Sequence, residues 1–290
     1  MEVTDTFDQF YRSIYHDRWS DLRSALTEKP TQIKRRNLFL DNFSSNISDP
    51  IASWALNCFS VDRTFRPQVQ ACGLLDFFVM DLASFLVANV LEVQENDRVL
   101  DMCAAPGGKA LILAEKLGLN SQLVLNELSK HRFHRLKKVL ASYVPQDVLA
   151  RISFRSYDAT KWGIYEIGAY DRILVDAPCS AEAHLLRNLS EMQKWSPKRG
   201  KRLAQRQYAL LCSALLAART ESRIVYSTCS ISPLENDGVL DKLQKRKGDL
   251  FEFEVFASPL GERTKFGWQI LPDQHLWGPM YFAILRKLSH

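Results

Sequence analysis

The chain has 290 residues, of which 46% are hydrophobic, so it can bury a full core and is not a disordered protein. No apolar run approaches the ~20 residues of a membrane-spanning helix, and the six cysteines form no C-x-x-C pair, which argues against a metal site. The net charge is +5 and the N-terminus has no basic leader, so we expect a cytoplasmic protein, or a mitochondrial one from which a leader has been removed.

The first part of the chain is predicted to be mainly helical. Apolar residues recur with a helical period, first at Phe7 and Phe10 and again over residues 74–86, so helix should dominate up to about residue 90. We expect a helical N-terminal region at 1–70, available for RNA or partner contact, and a catalytic domain at 71–290.

From about residue 97 the pattern changes to short apolar runs that alternate with amphipathic stretches. The runs that predict strands are RVLDMC, QLVLNEL, RISFRSYD, YDRILVDAP, RIVYSTCS, FEFEVF and MYFAILRK. Alternation of this kind is typical of right-handed βαβ units. An α/β fold with a doubly wound, mostly parallel sheet is therefore predicted, with ligands bound outside the carboxyl ends of its strands.

The loop after the first of these strands, VLDMCAAPGGKA at residues 99–110, resembles a nucleotide-binding loop. A P-loop requires Gly and then Ser or Thr where this chain has Cys103 and Ala110, and no register supplies the G-x-G-x-x-G of a dinucleotide site. A compact nucleoside with an amino-acid tail remains, as in S-adenosylmethionine. Glu127, ending the second strand, is placed to accept the ribose hydroxyls, and Asp158, ending the third, to accept from the adenine amine.

Positive charge is clustered in four runs: KRR at 34–36, KHRFHRLKK at 130–138, KRGKR at 198–202 and KLQKRK at 242–247. A single basic run is often only the solvated face of a helix. Four such runs together favour a polyanionic partner.

Two cysteines stand at strand ends, Cys179 in ILVDAPCS and Cys229 in IVYSTCS. A structural cysteine normally lies within an apolar run, where it behaves as a small hydrophobe. At a strand end the thiol reaches the crevice instead. A thiol with a pKa near ~8.5 has a small, strongly nucleophilic thiolate fraction at neutral pH, which suits it to covalent catalysis.

Three motifs in this order, DMCAAPGGKA, DRILVDAPCS and YSTCSISPLEN, resemble the motif set of the Sun-domain (RsmB/NOP-like) RNA cytosine-5 methyltransferases. The resemblance covers roughly residues 70–287. SYVPQDV, TKWG and WGPMYF are most similar to the mitochondrial members that methylate small-subunit rRNA. The resemblance implies a Rossmann-like class I fold, S-adenosylmethionine as cofactor and RNA (cytosine-5) methyltransferase activity, with small-subunit rRNA as the substrate.

The resemblance also implies residue roles. C5 of cytosine is too weak a nucleophile to attack a methyl sulfonium, so a nucleophile must first add to C6. Cys229 is implied as that attacking thiol, and Cys179 as the thiol that helps release the methylated RNA. Asp176 would touch cofactor and base, and Lys109 the target or the methionine carboxylate. The other implied cofactor contacts are Ala104, Ala105, Pro106, Gly107, Gly108, Arg132 and Ala159.

Three alternatives stay open: a tRNA substrate, a methyltransferase for a small molecule or protein, and a catalytically inactive RNA-binding module. The basic runs disfavour the second, and the intact catalytic residues disfavour the third. Most family members continue Pro-Cys-Ser with Gly-x-Gly, whereas AEAHLL follows here, so the loop that admits the base differs. Targeting would then come from the N-terminal region, from the basic segment 194–206 or from a partner protein.

Overall fold

The computed structural model describes residues 3–40 and 49–288. It begins with helix α1 (Val3–Tyr15), a 3-10 turn (His16–Arg18) and helix α2 (Trp19–Thr27). The apolar residues predicted to face a core do so: Phe7 and Trp19 are buried, and the Phe7 ring meets the edge of Trp195 at a centroid distance of 5.0 Å. The predicted helices of this segment are confirmed.

Residues 33–80 contain a small antiparallel sheet that the sequence did not predict. Its central strand β1 (Ile33–Arg36) lies between β2 (Cys58–Ser60) and β3 (Phe77–Met80). The expectation of helix up to about residue 90 is therefore wrong for these strands. The Asp81 side chain accepts hydrogen bonds from the amides of Ala83 and Ser84 and caps helix α3 (Leu82–Asn89), so the aromatic residues before it are extended and pair with β1.

Among the described residues, nine strands form the central sheet. Six of them form the main part of the sheet, namely β4 (Arg98–Asp101), β5 (Gln122–Asn126), β6 (Ile152–Arg155), β7 (Tyr170–Asp176), β8 (Ala218–Thr228) and β12 (Met280–Lys287). The other three lie on the outer side of β12, namely β9 (Phe251–Phe253), β10 (Glu262–Arg263) and β11 (Trp268–Ile270). The order β6-β5-β4-β7-β8 is parallel, and β12 joins β8 antiparallel. The predicted mostly parallel α/β sheet is confirmed.

The chain order reverses between β4 and β7. From β4 the chain moves outward through β5 and β6, and it returns to place β7 on the other side of β4, with Leu100 opposite Ile173. The carboxyl ends of these two strands therefore flank a crevice of the kind in which doubly wound sheets bind their ligands.

Helices cover both faces of the central sheet. One face packs against α3, α4 (Gly108–Glu115) and α5 (Lys130–Tyr143), and the other against α10 (Pro197–Ala217) and α11 (Asp237–Lys247). Shorter helices are α6 (Gln146–Leu149), α7 (Trp162–Tyr165), α8 (Glu182–Arg187), α9 (Leu189–Met192) and α12 (Pro272–His275), and 3-10 turns occur at Ala159–Lys161 and Gly248–Leu250. Apolar residues of both layers are buried, as two faces of one sheet require.

Ion pairs tie the N-terminal region to the rest of the chain. Arg18 Nε lies 2.6 Å from Asp273 Oδ2, and Arg18 also pairs with Glu262. Arg35 of β1 forms an ion pair with Glu115 of α4 in which both side chains are almost fully buried. The division of the chain at residue 70 stays a prediction, since β1 and β3 pair across it.

Within residues 3–40 and 49–288, no helix combines the length and the apolar character needed to cross a membrane. The same residues contain no group of three or more His, Cys, Asp and Glu side chains arranged to hold a metal ion.

Candidate active site

A cavity of about 750 Å³ opens at the carboxyl ends of β4 and β7. Most of the residues predicted for the site line it: Lys109, Glu127, Arg132, Ala159, Asp176, Cys179 and Cys229. The loop residues 104–108 and Asp158 do not line it. The cavity forms here because the ends of parallel strands meet at one edge of the sheet, which brings together residues as far apart in the chain as Lys109 and Cys229.

The two predicted thiols are in contact. Cys179 follows β7 and Cys229 follows β8, and their sulfur atoms lie 3.1 Å apart. The hydrogen bond with Cys229, together with burial, raises the pKa of Cys179 well above the usual value of a thiol. Cys179 therefore holds its proton at neutral pH, beside a second thiol that faces the same cavity.

An ion pair lies across the cavity floor. Lys109 Nζ donates to Asp176 Oδ2 at 2.8 Å, and Ser227 Oγ donates to Asp176 Oδ1 at 2.8 Å. Burial alone would lower the pKa of Lys109, but the Asp176 carboxylate outweighs burial and raises that pKa above its ordinary value. Lys109 is therefore a permanent cation in the site.

Glu127 has an oxygen available for a ligand. Its Oε1 accepts from the Ser129 amide at 2.8 Å, whereas its buried Oε2 accepts no hydrogen bond from the described residues, although Arg132 Nη1 lies 3.3 Å away. A buried carboxylate oxygen without a donor is costly unless a ligand supplies one. The ribose hydroxyls of S-adenosylmethionine are such donors, so the residues present fit this cofactor.

Asp158 has two hydrogen-bond partners within the protein. It accepts from the Thr160 amide at 3.2 Å and from Arg206 Nη2 at 3.0 Å. Arg206 and Tyr157 line the cavity and were not predicted as site residues. The available signals were the basic segment 194–206 for Arg206, and the position of Tyr157 beside a strand-end aspartate.

The Gly-Gly pair owes its composition to packing and turn geometry. Gly107 has a φ of +120°, which side-chain-bearing residues rarely adopt. A Cβ atom on Gly108 would lie 2.8 Å from Cε1 of Phe78. The loop presents its two flanking residues, Cys103 and Lys109, to the cavity.

Asp101, at the end of β4, was not predicted to contribute. Its side chain is buried, Oδ1 accepts from the Cys103 amide at 3.2 Å, and Oδ2 has no hydrogen-bond partner among the described residues. Burial, with the nearby Asp176 carboxylate as the second cause, raises the pKa of Asp101 to about 7. A carboxyl at the end of the first parallel strand was the signal that sequence reasoning passed over.

A second cavity of about 190 Å³ adjoins the first. The two share Ser84, Ala181, Cys229 and Met280, so the Cys229 thiol faces both. His184 and Arg187 of α8 also line the second cavity. This is the segment in which the sequence departs from Gly-x-Gly after Pro-Cys-Ser.

The basic runs differ in what they do. Those at 130–138 and 198–202 are largely exposed on α5 and α10, and the run at 242–247 is exposed on α11. The run at 34–36 is not an open basic surface, because Arg35 is buried against Glu115. Lys34 and Arg36 are half-buried in β1, and a contribution of this run to a polyanion-binding surface stays a prediction.

Known proteins match this chain over most of its length. The sequence profile described as 16S rRNA methyltransferase RsmB/F matches residues 88–286. The 5-cytosine rRNA methyltransferase NSUN4 of Mus musculus is 36% identical over 256 residues, which cover 80% of this chain and 67% of the relative. The mitochondrial tRNA (cytosine(34)-C(5))-methyltransferase of Danio rerio is 37% identical over 288 residues, covering 94% and 77%.

The fold is also that of a solved relative. The crystal structure of NSun6 from Pyrococcus horikoshii with SFG matches with a TM-score of 0.78 at 18% identity, and each chain is covered to 98%. The profile match alone spans more than half of this chain. The chain therefore belongs to the RsmB/F family of 16S rRNA methyltransferases, and it is an S-adenosylmethionine-dependent RNA cytosine-5 methyltransferase.

Proposed function

We propose that this enzyme methylates C5 of a cytosine in small-subunit rRNA and that Cys229 is its nucleophile. The observation that carries the proposal is the pair of thiols 3.1 Å apart, of which Cys229 faces both cavities and Cys179 the larger one. Relatives named as rRNA methyltransferases support the choice of RNA.

Cys229 acts first. Its thiolate adds to C6 of the cytosine, and the electrons of the C5–C6 double bond move toward C5. When bound, S-adenosylmethionine supplies the methyl group that C5 then takes. Loss of the C5 proton to a base and cleavage of the bond between C6 and sulfur regenerate the thiolate and the C5–C6 double bond.

Cys179 acts when the RNA leaves. Because it keeps its proton, it donates a hydrogen bond to the Cys229 sulfur as negative charge returns to that atom. A donor at this position makes the Cys229 thiolate a better leaving group. Cys179 is thus assigned to release of the product and not to its formation.

Asp176 and Lys109 act on the base and the cofactor. Asp176 faces the N3 and N4 edge of the cytosine and orients the base by accepting a hydrogen bond from the N4 amino group, and the Lys109 cation beside it stabilises the negative charge that develops on the ring as the thiolate adds to C6. Lys109 fixes Asp176 in place and offers its positive charge to the cofactor carboxylate or to the target. Glu127, Arg132 and Ala159 line the cavity and contact the cofactor there, with Glu127 and Arg132 at its nucleoside end. Asp158 and the loop 104–108, which are not among the lining residues, are proposed to contact the cofactor as well, Asp158 at the adenine.

The RNA approaches over the exposed basic helices. Positive charge on α10 extends to Arg206 at the cavity rim, and such a surface attracts a phosphate backbone without reading its sequence. The smaller cavity, on the far side of Cys229, receives the cytosine. Choice of the nucleotide then rests on α8 or on a partner protein that presents the rRNA.

The test is transfer of labelled methyl groups from S-adenosylmethionine to total RNA that is afterwards fractionated by size. We expect label in small-subunit rRNA with the wild type and none with Cys229→Ala. Cys72→Ala, at an exposed thiol outside both cavities, is the matched control and should be fully active. Label that persists in Cys229→Ala would assign the thiols the other way round. Activity of the purified chain on bare rRNA would remove the need for a partner protein.

Transfer RNA is the second candidate substrate. The relative named as a tRNA methyltransferase covers 94% of this chain, more than the 80% covered by the mouse rRNA enzyme. Label confined to the tRNA fraction of the same experiment would replace rRNA with tRNA and leave the chemistry unchanged.

We propose mitochondria as the compartment, in place of the cytoplasm expected from the sequence. Two relatives are named as mitochondrial enzymes. Fractionation of cells in which the chromosomal gene carries a C-terminal tag tests this, and recovery of the tag only in the cytosolic fraction would contradict it.

A further inference from the structure

Two buried carboxyl groups lie directly behind the thiols. Glu235 accepts from the Ser180 amide at 3.0 Å, from the Ser180 hydroxyl, and from Gln207 Nε2 at 2.8 Å. Gln207 also donates to the carbonyl of Pro178 at 3.0 Å. Glu235 therefore holds the residues on both sides of Cys179.

Glu182 holds the turn that carries the other thiol. Its Oε2 accepts from the Ile231 amide at 3.1 Å, and its Oε1 accepts from Tyr11 Oη of helix α1 at 2.6 Å. Tyr15 of the same helix donates to the Ile231 carbonyl at 2.6 Å. The N-terminal helix thus contacts both Glu182 and the segment that follows Cys229.

Ser230 joins the two carboxyl groups. Its Oγ lies 3.0 Å from Glu182 Oε1 and 3.3 Å from Glu235 Oε1, and it accepts from the Ser232 amide at 3.0 Å. A serine hydroxyl has one hydrogen to donate, so only one of the two carboxyl contacts can be a donation from Ser230. A proton on one of the two glutamates, donated to Ser230, satisfies the other contact.

The surroundings agree with a proton held there. Neither glutamate forms an ion pair with any described residue, and both side chains are fully buried. The titratable groups that face them are Tyr11 and Tyr15 of α1, Tyr226 of β8 and Cys179. Burial first, and then the neighbouring carboxylate, raises the pKa of Glu182 above its ordinary value, and burial likewise raises that of Glu235.

We propose that Glu182 and Glu235 are positioning residues of methyl transfer. They share one proton through Ser230 and thereby hold the turns of Cys179 and Cys229 at contact distance. Tyr11 makes helix α1 part of this arrangement. The effect of this arrangement on methyl transfer rests on the proposed function, whereas its effect on the distance between the two thiols does not. When the shared proton is lost, two carboxylates repel each other across one hydroxyl and the turns separate.

The first test measures only whether the two thiols lie close enough to bind one arsenic atom. Phenylarsine oxide binds two nearby thiols, with formation of two As–S bonds and release of one water. We expect tight, stoichiometric binding by the wild type, loss of binding in Cys179→Ala, and affinity lower by about 10-fold or more in Glu235→Ala and Glu182→Ala. Glu191→Gln, at an exposed site on α9, is the control and should bind as the wild type does.

The second test measures the rate of methyl transfer under single-turnover conditions from pH 6 to pH 9. We expect the wild-type rate to fall on the alkaline side as the shared proton is lost. In Glu182→Gln the amide replaces the protonated carboxyl permanently, so the alkaline limb should move up by at least about one pH unit. Affinity for S-adenosylmethionine should change less than about 3-fold, because Glu182 does not line the cofactor cavity. Tyr11→Phe should lower the rate and Tyr165→Phe, at an exposed tyrosine, should not.

The outcomes separate the two proposals. Unchanged arsenical affinity in folded Ala variants, or a wild-type alkaline limb in Glu182→Gln, would overturn the positioning role. The Gln variant preserves shape and hydrogen bonding, so this second result remains decisive even where an Ala variant does not fold. Weakened arsenical binding in the Ala variants, together with no methyl transfer by the wild type, would uphold the positioning of the thiols and overturn the proposed function.

Discussion

The Nζ atom of Lys109 lies 2.8 Å from Oδ2 of Asp176, so a residue of helix α4 and the last residue of strand β7 form an ion pair inside the cavity. Replacement of Asp176 by Asn removes the carboxylate that faces the base and leaves Lys109 without its counter-ion. We expect methyl transfer to fall by about 10²- to 10⁴-fold. Asp241→Asn, at an exposed pair with Lys245, should retain full activity. A residual rate within 3-fold of wild type would remove Asp176 from the mechanism.

The two thiols should be distinguishable by the covalent complex that each leaves behind. In Cys179→Ala the bond between Cys229 and C6 still forms, but its cleavage lacks the neighbouring S–H donor, so a protein–RNA adduct should accumulate on a denaturing gel. In Cys229→Ala no adduct should form, and turnover should fall by more than about 10³-fold. An adduct in Cys229→Ala but not in Cys179→Ala would reverse the two roles.

Cofactor binding should depend strongly on Glu127 and weakly on Asp158. Oε2 of Glu127 accepts no hydrogen bond from the described residues, whereas Asp158 accepts from the Thr160 amide and from Arg206. Titration calorimetry with S-adenosylmethionine should show an increase in Kd of about 10- to 100-fold for Glu127→Gln and of roughly 5-fold for Asp158→Asn. Glu221→Gln, at an exposed pair with Arg286, is the control. Equal effects at the two site positions would contradict this ranking.

The buried carboxyl of Asp101 should make stability depend on pH. Its folded pKa of about 7 lies above the unfolded value of about 3.9, so the folded state binds the proton more strongly, and stability falls as pH rises from 4 through 7. This group should account for a decrease of roughly 4 kcal/mol in the free energy of unfolding. Urea denaturation at pH 5 and pH 8 should show a smaller decrease in Asp101→Asn. An equal change in the free energy of unfolding with pH in the wild type and in Asp101→Asn would refute the role of Asp101.

The Arg35–Glu115 pair should be essential to the small N-terminal sheet. Both side chains are almost fully buried, so Glu115→Gln leaves a buried guanidinium without a counter-ion and should destabilise the fold by about 3–5 kcal/mol. Glu252→Gln breaks an exposed pair with Arg286 and should cause no measurable change in the same urea titration. Equal stability of the two variants would show that the buried pair is dispensable.

The sheet and most of the cavity were predictable because each strand has its own apolar run and parallel strand ends meet at one edge. Cys179, Cys229, Lys109 and Asp176 therefore converge as expected. The small sheet at 33–80 was not predictable, since aromatic residues at Phe77 and Phe78 fit helical spacing equally well and pairing with β1 decides the matter.

The glutamates behind the thiols were missed for a different physical reason. In sequence, Glu182 and Glu235 follow loop residues and read as solvated side chains. Their burial depends on α1, α8 and α10 closing over the same spot, which no local pattern encodes. Buried carboxyl networks of this kind become visible only once distant segments have been placed together.

The contacts of the N-terminal helices also set an order of events during synthesis. The partner of Tyr11, Glu182, is synthesised 171 residues later, and the partner of Arg18, Asp273, is synthesised 255 residues later. At ~5–20 residues per second, α1 and α2 spend on the order of 10–50 s without these partners. A nascent chain therefore exposes Phe7 and Trp19 to solvent until residue 182, and after it residue 273, has been synthesised.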